Sequence, residues 1–439
     1  MKKKYRIILY TSIFLLCVVA SIILVVKKSN SVYEEESKPK VVKHKSMLSM
    51  NLEQTAGSGD YKTVTQSSWP TEGYKFNAEL SKCENGSTLS WDDTKKAVIM
   101  QGNVSDKCYV YFDIWIPSIA DYCTSGTDLA TCVKNFGDQG PSVSNIYIHN
   151  SSLTNGAGDN SYRYAGANPN NFVCFGSDAS PCPIDNLYRI IGVFGENYHG
   201  ANGKQLVKLI KYDYMTTDEL GTDGDYSQTY KEWGMDSTYK GTYGDGERIG
   251  VYYWNYKATG SATNTWSTSL LNKTNLNTNF INNIGTTWAN KIATVTWKVG
   301  GNTWANIGTK TSSVAYTNEI TNPVTTNTTD NATTYSAKIG LMYVSDYGFA
   351  ASPDAWTLTM SSYNNTTATN NNWMYMGLYE WTISRYADYS GSAFYVYLGG
   401  HVRNNYVNGY NGVRASFNLE SSVSYVSGSG SMSDPIVIN

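Results

Sequence analysis

The stretch NLYRIIGVFGENYHGANGKQLVKLIKYDY, residues 186–214, sets the expected architecture. It contains two runs of β-branched, aliphatic and aromatic residues, 187–194 and 205–214, joined by the polar linker GENYHGANGK. Runs of this composition on either side of a glycine-rich linker are typical of a β-hairpin. We therefore expect two adjacent antiparallel strands at the centre of the main domain.

Helical patterns are rare outside this hairpin. SLLNKTNLNTNFINNIG, residues 269–285, predicts the clearest helix, because Leu276, Phe280 and Ile284 recur at helical spacing before a terminal glycine. Four later runs are predicted to be core elements: KIGLMYVSDYGFA, YEWTISRYA, SAFYVYLGGHV and GVRASFNL. Several of them are apolar on both faces, as in central strands. Strands with one or two helices and long Asn/Gly/Ser loops predict an α+β domain over residues 162–439.

The composition narrows the classes of function. The chain has 439 residues, a formal net charge of -2 and only 16% charged residues, so electrostatics give no reason to expect nucleic-acid binding. Tyr (36) and Trp (12) are abundant, and Asn, Thr, Ser and Gly supply most of the polarity. This profile favours a β-rich extracellular protein over a cytosolic helical enzyme.

The N-terminus predicts a membrane anchor. Residues 7–26, IILYTSIFLLCVVASIILVV, form an apolar run long enough to span a bilayer as a helix. Residues 1–6 would be a cytoplasmic tail and residues 27–70 a polar stalk. A cleaved signal peptide is the alternative, but the run lacks a small-residue cleavage site. The expected localisation is the bacterial cell membrane, single-pass, with the C-terminal region extracellular.

Six cysteines follow the apolar run, an even number that suggests disulfides in an exported chain. Their proximity in sequence favours three local pairs, Cys83–Cys108, Cys123–Cys132 and Cys174–Cys182, although free thiols and other pairings remain open. The first pair would staple a small β-module, residues 71–113, that is too small to be stable without it. Residues 114–161 would connect this module to the main domain.

Several motifs together resemble those of surface proteins from Gram-positive gut bacteria. They are W-x-x-S-x-L with LN-x-x-F at 266–280, KIGLMYVSDYGFA, NNW with WTISR, and GVRASFNL with GSGSMSDPIVI. These proteins carry a C-terminal domain of unknown function, distantly similar to the C-type-lectin-like and formylglycine-generating-enzyme-like folds. The resemblance implies a C-type-lectin-like fold for residues 162–439. The calcium motifs of C-type lectins and the late copper-binding cysteines of the enzymes are missing.

The sequence offers few catalytic or metal-binding patterns. Its four histidines are scattered, and the G-x-S-x-G, H-E-x-x-H and P-loop motifs are absent. Asp223 with Asp225, and Asp245 with Glu247, stand beside glycines and could bind calcium, but D-G is also an ordinary turn dipeptide. We therefore predict no cofactor, no metal and no catalytic residues.

The stretch between the last core strands predicts a binding loop. Tyrosine offers contact area at little entropic cost, and asparagine, serine and glycine add adaptable hydrogen bonds. The predicted ligand-binding residues are His401, Arg403, Asn404, Asn405, Tyr406, Asn408, Tyr410 and Asn411.

We therefore expect a non-enzymatic recognition or adhesion protein that binds an extracellular protein or glycan ligand. One alternative is an envelope enzyme acting on glycan or peptidoglycan. Another is a structural subunit of the cell surface, which would assemble with further copies of itself.

Overall fold

The structure of the protein, which is a computed structural model, consists mostly of β-sheets. It describes residues 48–65, 68–70, 72–103, 105–195, 198–201, 203–230, 239–243, 248–323, 333–364 and 370–439. These residues fall into two units, one ending at Ile116 and the other spanning Pro117–Asn439.

The first unit is a small β-structure. Its strands are β1 (Leu48–Glu53), β2 (Tyr61–Val64), β3 (Tyr74–Cys83), β4 (Thr88–Asp92), β5 (Ala97–Gln101) and β6 (Cys108–Ile114). A four-stranded sheet has the order β2-β1-β6-β3, and β4 and β5 form a hairpin. Phe112 is 1% exposed at the centre of the core, where the rings of Trp69, Phe76 and Trp91 lie within 6 Å of its own ring.

The second unit contains the remaining described strands. They are β7 (Ile146–Ile148), β8 (Tyr162–Tyr164), β9 (Phe172–Cys174), β10 (Leu187–Phe194), β11 (Leu206–Lys211), β12 (Tyr226–Thr229), β13 (Gly250–Tyr253), β14 (Val295–Lys298), β15 (Gly301–Asn302), β16 (Thr334–Ala337), β17 (Ile339–Gly340), β18 (Glu380–Tyr386), β19 (Ser392–Val396), β20 (Val402–Tyr406), β21 (Tyr410–Asn411), β22 (Ser416–Asn418), β23 (Tyr425–Ser427) and β24 (Val437–Ile438).

The helical segments of this unit are short. They are Ile119–Asp121, Leu129–Gly137, Pro141–Ser144, Ile184–Asn186, Tyr198–Gly200, Thr217–Leu220, Trp266–Thr268, Leu271–Phe280, Ile281–Ala289, Ser312–Tyr316, Thr317–Thr321, Val344–Phe349, Pro353–Thr357 and Met360–Ser362. Leu271–Phe280 has π-helical hydrogen bonding and continues into Ile281–Ala289, where Gly285 interrupts the helical geometry with φ 76° and ψ 165°.

The predicted hairpin is the centre of the largest sheet. β10 and β11 are antiparallel, and every residue of both strands is buried. The sheet has the order β17-β22-β11-β10-β8-β7, with β9 also paired to β10. β11 thus lies between β10 and β22. Its side chains can therefore contact residues that are far away in the sequence.

A second sheet, of order β15-β18-β19-β20, carries the late part of the chain. A three-stranded sheet has the order β12-β13-β21, and its strand β21 follows β20 in the sequence. In the second unit, the remaining described strands form the two-stranded pairs β14-β16 and β23-β24.

The predicted fold class, an α+β C-type-lectin-like domain, is wrong: the fold is mostly β-sheet with few helices. The helix predicted at residues 269–285 exists in large part, because the segments Leu271–Phe280 and Ile281–Ala289 cover all but its first two residues. The error lies in asparagine-rich segments, which the sequence predicts to be loops. Residues 402–406, for example, form a strand because β19 supplies a partner for their backbone.

The predicted membrane localisation is also corrected. Within the described ranges, no helix is both long enough and apolar enough to cross a bilayer. The segment predicted as the anchor, residues 7–26, lies outside the described residues.

The three predicted disulfides are confirmed. Cys83–Cys108, Cys123–Cys132 and Cys174–Cys182 have Cα–Cα distances of 4.0, 5.1 and 5.9 Å. The boundaries of the units differ from the predicted domains. The predicted stalk includes β1 and β2, and β1 pairs with β6 in the first unit. From Pro117 on, the predicted connecting segment belongs to the second unit.

Candidate functional site

The hairpin of β19 and β20 carries the first of the predicted ligand-binding residues. A tight turn joins the strands, in which the Gly400 N–H donates to the Tyr397 carbonyl at 2.7 Å. Gly400 has φ 89°, a left-handed conformation that glycine adopts without a steric penalty. The Tyr347 hydroxyl donates to the Gly400 carbonyl at 2.6 Å, and this hydrogen bond fixes the position of the turn. His401, at the end of this turn, and Arg403, in β20, therefore occupy set positions.

Because side chains alternate between the two faces of a strand, these two residues lie on the same face of the sheet as three tyrosines. Arg403 lies directly opposite Tyr395 in the register of the two strands. Tyr397 follows Tyr395 on the same face, since side chains two residues apart point the same way. The ring of Tyr379 lies 5.1 Å from that of Tyr397 and 6.0 Å from that of Tyr395. We call Tyr379, Tyr395, Tyr397, His401 and Arg403 the tyrosine face.

The cation of this face rests on an aromatic ring. The Arg403 guanidinium lies 4.6 Å from the centroid of the Tyr397 ring, within the range of a cation–π contact. The His401 ring lies 4.6 Å from the same ring. Burial, together with the charge of Arg403, lowers the pKa of His401, so its imidazole is neutral at pH 7. The face therefore presents one fixed positive charge among phenol rings and hydroxyls.

A buried ion pair next to Tyr379 stabilises the position of the tyrosine face. Glu380, next to Tyr379, accepts two hydrogen bonds from Arg414, at 2.8 Å from Nε and 3.0 Å from Nη2. Both side chains are at most 2% exposed. A bidentate pair of this kind fixes direction as well as distance, so it sets the position of β18 relative to the segment before β22.

Asn405 shares the Arg403 side of β20 but lies opposite Ala393, and the other predicted ligand-binding residues lie elsewhere. Asn404 and Tyr406 are exposed on the opposite face of β20, and Tyr406 packs edge-on against Tyr389 at 5.9 Å. Asn405 is half-buried and accepts from the Tyr406 N–H. Asn408 is exposed in the turn after β20. Tyr410 packs against Tyr253, and Asn411 is buried. The structure thus brings only His401 and Arg403 together on the tyrosine face.

The sequence pattern did not reveal a fully buried charge cluster. Arg163, Lys208, Asp159, Asp346, His199 and Glu319 meet inside the second unit, and each is at most 5% exposed. Asp159 and Arg163 are four residues apart, and the other members come from distant parts of the chain. The one available signal was a lysine inside the apolar run VKLIK of β11.

Carboxylates also converge at a cavity of about 300 Å³ on the second unit. Asp185, Asp218 and Glu219 line it, together with an apolar wall that includes Phe280 and Ile284. Burial acts to raise the pKa of Asp185, but the hydrogen bonds from Arg248 and Tyr243 outweigh it, and the pKa is lowered. A general acid near neutral pH needs a raised pKa, so the Asp185 carboxyl is unsuited to that role.

The candidate calcium ligands have structural contacts. Asp225 Oδ2 accepts from the N–H groups of Leu270 and Leu271, both at 3.0 Å, and Asp223 Oδ1 accepts from Asn279 at 2.6 Å. Asp245 and Glu247 lie outside the described residues.

Elsewhere in the described chain, Cys83, Asp106 and Cys108 place three potential ligand atoms close together. The two sulfurs are joined in a disulfide, so neither is available as a thiolate.

No known protein family, no curated protein and no solved structure matches this chain. The resemblance to surface proteins of Gram-positive bacteria stays a prediction.

Proposed function

We propose that this is a recognition protein that binds a glycan carrying acidic groups through the tyrosine face. The observation that carries the proposal is the fixed arrangement of Arg403 over Tyr397, with Tyr379 and Tyr395 beside it. Aromatic rings offer broad, rigid contact surfaces, and their hydroxyls pair with polar ligands. The guanidinium adds a partner for a carboxylate or sulfate.

The character of the surrounding surface favours a glycan over a protein. Residues 370–419 are all described, and the strongly exposed large hydrophobic side chains among them are Tyr389 and Tyr406. The centre of a protein–protein interface is usually apolar and depleted of charge. A polar surface of phenols, amides and one arginine suits a hydroxyl-rich ligand better.

A glycan array tests this proposal. We expect the full chain to bind glycans with uronate or sulfate groups and to bind neutral glycans weakly. Tyr397→Ala should remove this binding, because it deletes the ring that carries Arg403 and packs against Tyr379. Tyr389→Ala is the matched control: it removes an exposed tyrosine outside the tyrosine face and should bind as the unaltered protein does. Binding of no acidic glycan, or equal binding by Tyr397→Ala, would contradict the proposal.

The cavity that contains Asp185 and Glu219 makes glycan hydrolysis the second candidate function. The Glu219 carboxylate is occupied: Oε1 pairs with Lys211 Nζ at 2.6 Å and Oε2 accepts from the Thr216 N–H at 2.8 Å. This arrangement favours a structural role. Shortened products after incubation of the protein with an acidic oligosaccharide would favour the hydrolase.

A further inference from the structure

Lys208 and Asp346 meet in the interior of the second unit. Lys208 lies on β11 and Asp346 in the helical segment Val344–Phe349. The Nζ and Oδ2 atoms are 2.5 Å apart, and the two side chains are 1% and 0% exposed. A primary amine and a carboxyl group are thus held in contact where water does not reach them.

The surroundings of the amine are aromatic. Its Nζ lies 4.5 Å from the ring centroid of Tyr343, 5.2 Å from that of Trp297 and 5.7 Å from that of Phe194. Burial is the largest influence on Lys208 and lowers its pKa. A neutral amine is a nucleophile, whereas an ammonium ion is not.

The carboxyl group of Asp346 is fixed from two sides. The Tyr343 N–H donates to Oδ2 at 3.0 Å. Oδ1 lies 3.5 Å from Arg163 Nη1, and these two buried atoms have no hydrogen-bond partner among the described residues. Arg163 is held in turn by Asp159 at 2.8 Å. A guanidinium directed at Oδ1 would stabilise negative charge developing on that oxygen during attack at Cγ.

A second carboxyl group, that of Glu319, lies near the pair and acts electrostatically on both members. Its oxygens accept from the N–H groups of Val344 and Ser345, at 3.1 and 2.9 Å. Burial raises the pKa of Glu319 to about 7, so this group can take up and release a proton near neutral pH.

We propose that Lys208 and Asp346 are a modification site at which the chain forms an intramolecular amide bond between Nζ and Cγ. Contact between the reacting groups in a dry, fixed environment replaces the activation that amide formation needs in water. The bond would join β11 to the segment Val344–Phe349, across a sequence separation of 138 residues.

The reaction balances without an oxidant or a co-reactant. One proton passes from Nζ to the Asp346 carboxylate, and the neutral amine attacks Cγ. Oδ1 carries the negative charge of the tetrahedral intermediate opposite Arg163. The Cγ–Oδ2 bond then breaks, and a second proton passes directly from Nζ to the departing oxygen, Oδ2, which Nζ already contacts. The products are the amide and one water molecule.

Mass spectrometry of the full chain, with its disulfides reduced, tests the proposal. We expect the intact mass to fall short of the sequence mass by one water molecule. Proteolysis should yield a branched peptide in which Lys208 is joined to Asp346. Full sequence mass and no branched peptide would overturn the proposal.

Two variants locate the water loss. Lys208→Arg keeps a positive charge but lacks the amine, and we expect it to retain the full sequence mass. Lys211→Arg is the matched control on the same strand, since Lys211 also forms a buried contact with a carboxylate, at 2.6 Å from Glu219. It should still lose one water molecule. Water loss in Lys208→Arg would overturn the assignment, even if that variant folds poorly.

Discussion

Glu319 shows at the scale of one residue how burial creates a titrating group. It is 3% exposed, and its carboxylate accepts hydrogen bonds from Val344, Ser345 and Ser384. Burial raises its pKa from 4.5 to about 7 against the effect of those hydrogen bonds. Between these two values the folded chain binds more protons at this site than the unfolded chain does. Folding stability contributed by this group therefore falls as the pH rises.

This effect predicts a difference in pH dependence. From pH 5 to pH 8, the free energy of unfolding of the unaltered protein should fall by about 3 kcal/mol relative to that of Glu319→Gln, since the pKa is raised by roughly two units or more. Glutamine keeps the shape of the side chain and does not titrate. Urea unfolding of both proteins at the two pH values measures the difference. Parallel stability curves would show that Glu319 does not titrate in this range.

The sequence did not reveal this residue, and the reason is physical. Glu319 stands in TNEIT, among polar residues that are typical of an exposed loop. Its burial depends on Val344, Ser345 and Ser384, which reach it only once the second unit is folded. Lys208 was missed for the same reason, because its partner Asp346 is remote in sequence.

At the scale of elements, Asp225 organises the start of the helical segment Leu271–Phe280. Its Oδ2 accepts from the N–H groups of Leu270 and Leu271, donors that have no partner within the helix. Burial is the main influence on its carboxyl group and raises its pKa to about 6. This side chain therefore acts as a helix cap supplied by a distant part of the chain.

Removing this cap should destabilise the protein. We expect Asp225→Ala to lower the free energy of unfolding by about 1–2 kcal/mol, the usual cost of losing a capping side chain. Asp223→Ala is the control, since Asp223 is exposed and makes one hydrogen bond to Asn279. It should cost less. Chemical denaturation at pH 8, where Asp225 is ionised, compares the two, and equal losses would contradict the capping role.

The elements that the sequence predicted correctly are those with a local signal. The hairpin of β10 and β11 has two apolar runs and one linker, and it folds as expected. β20 has no such signal, because the sequence VRNNY is polar and becomes a strand only through pairing with β19. The prediction of a binding loop at 401–411 therefore located two residues of the tyrosine face but mistook the element that carries them.

At the scale of the whole molecule, the first unit depends on a core of modest size. Four fully buried hydrophobic residues form its centre: Met50, Leu52, Val110 and Phe112. The Cys83–Cys108 disulfide joins the end of β3 to the start of β6. A disulfide of this kind typically contributes about 2–4 kcal/mol to the free energy of unfolding.

We therefore predict that Cys83→Ser/Cys108→Ser destabilises the first unit selectively. Backbone hydrogen exchange should become faster in β1 and β6, because more molecules open that unit at any time. The internal control is β10, which belongs to the second unit and keeps its own disulfides, so its exchange should not change. Hydrogen exchange read by mass spectrometry follows all three strands in one experiment. Unchanged exchange in β6 would contradict the stabilising role.

Affinity measured by calorimetry tests whether the tyrosine face binds acidic glycans. The probe is oligogalacturonate, with a neutral maltooligosaccharide of the same length as reference. Arg403→Ala should weaken oligogalacturonate binding about tenfold or more, the effect of losing a charge-assisted hydrogen bond. Tyr406→Ala, on the opposite face of the same strand, should leave the affinity within about twofold. Equal losses in the two variants, or no preference for the acidic ligand, would contradict the account.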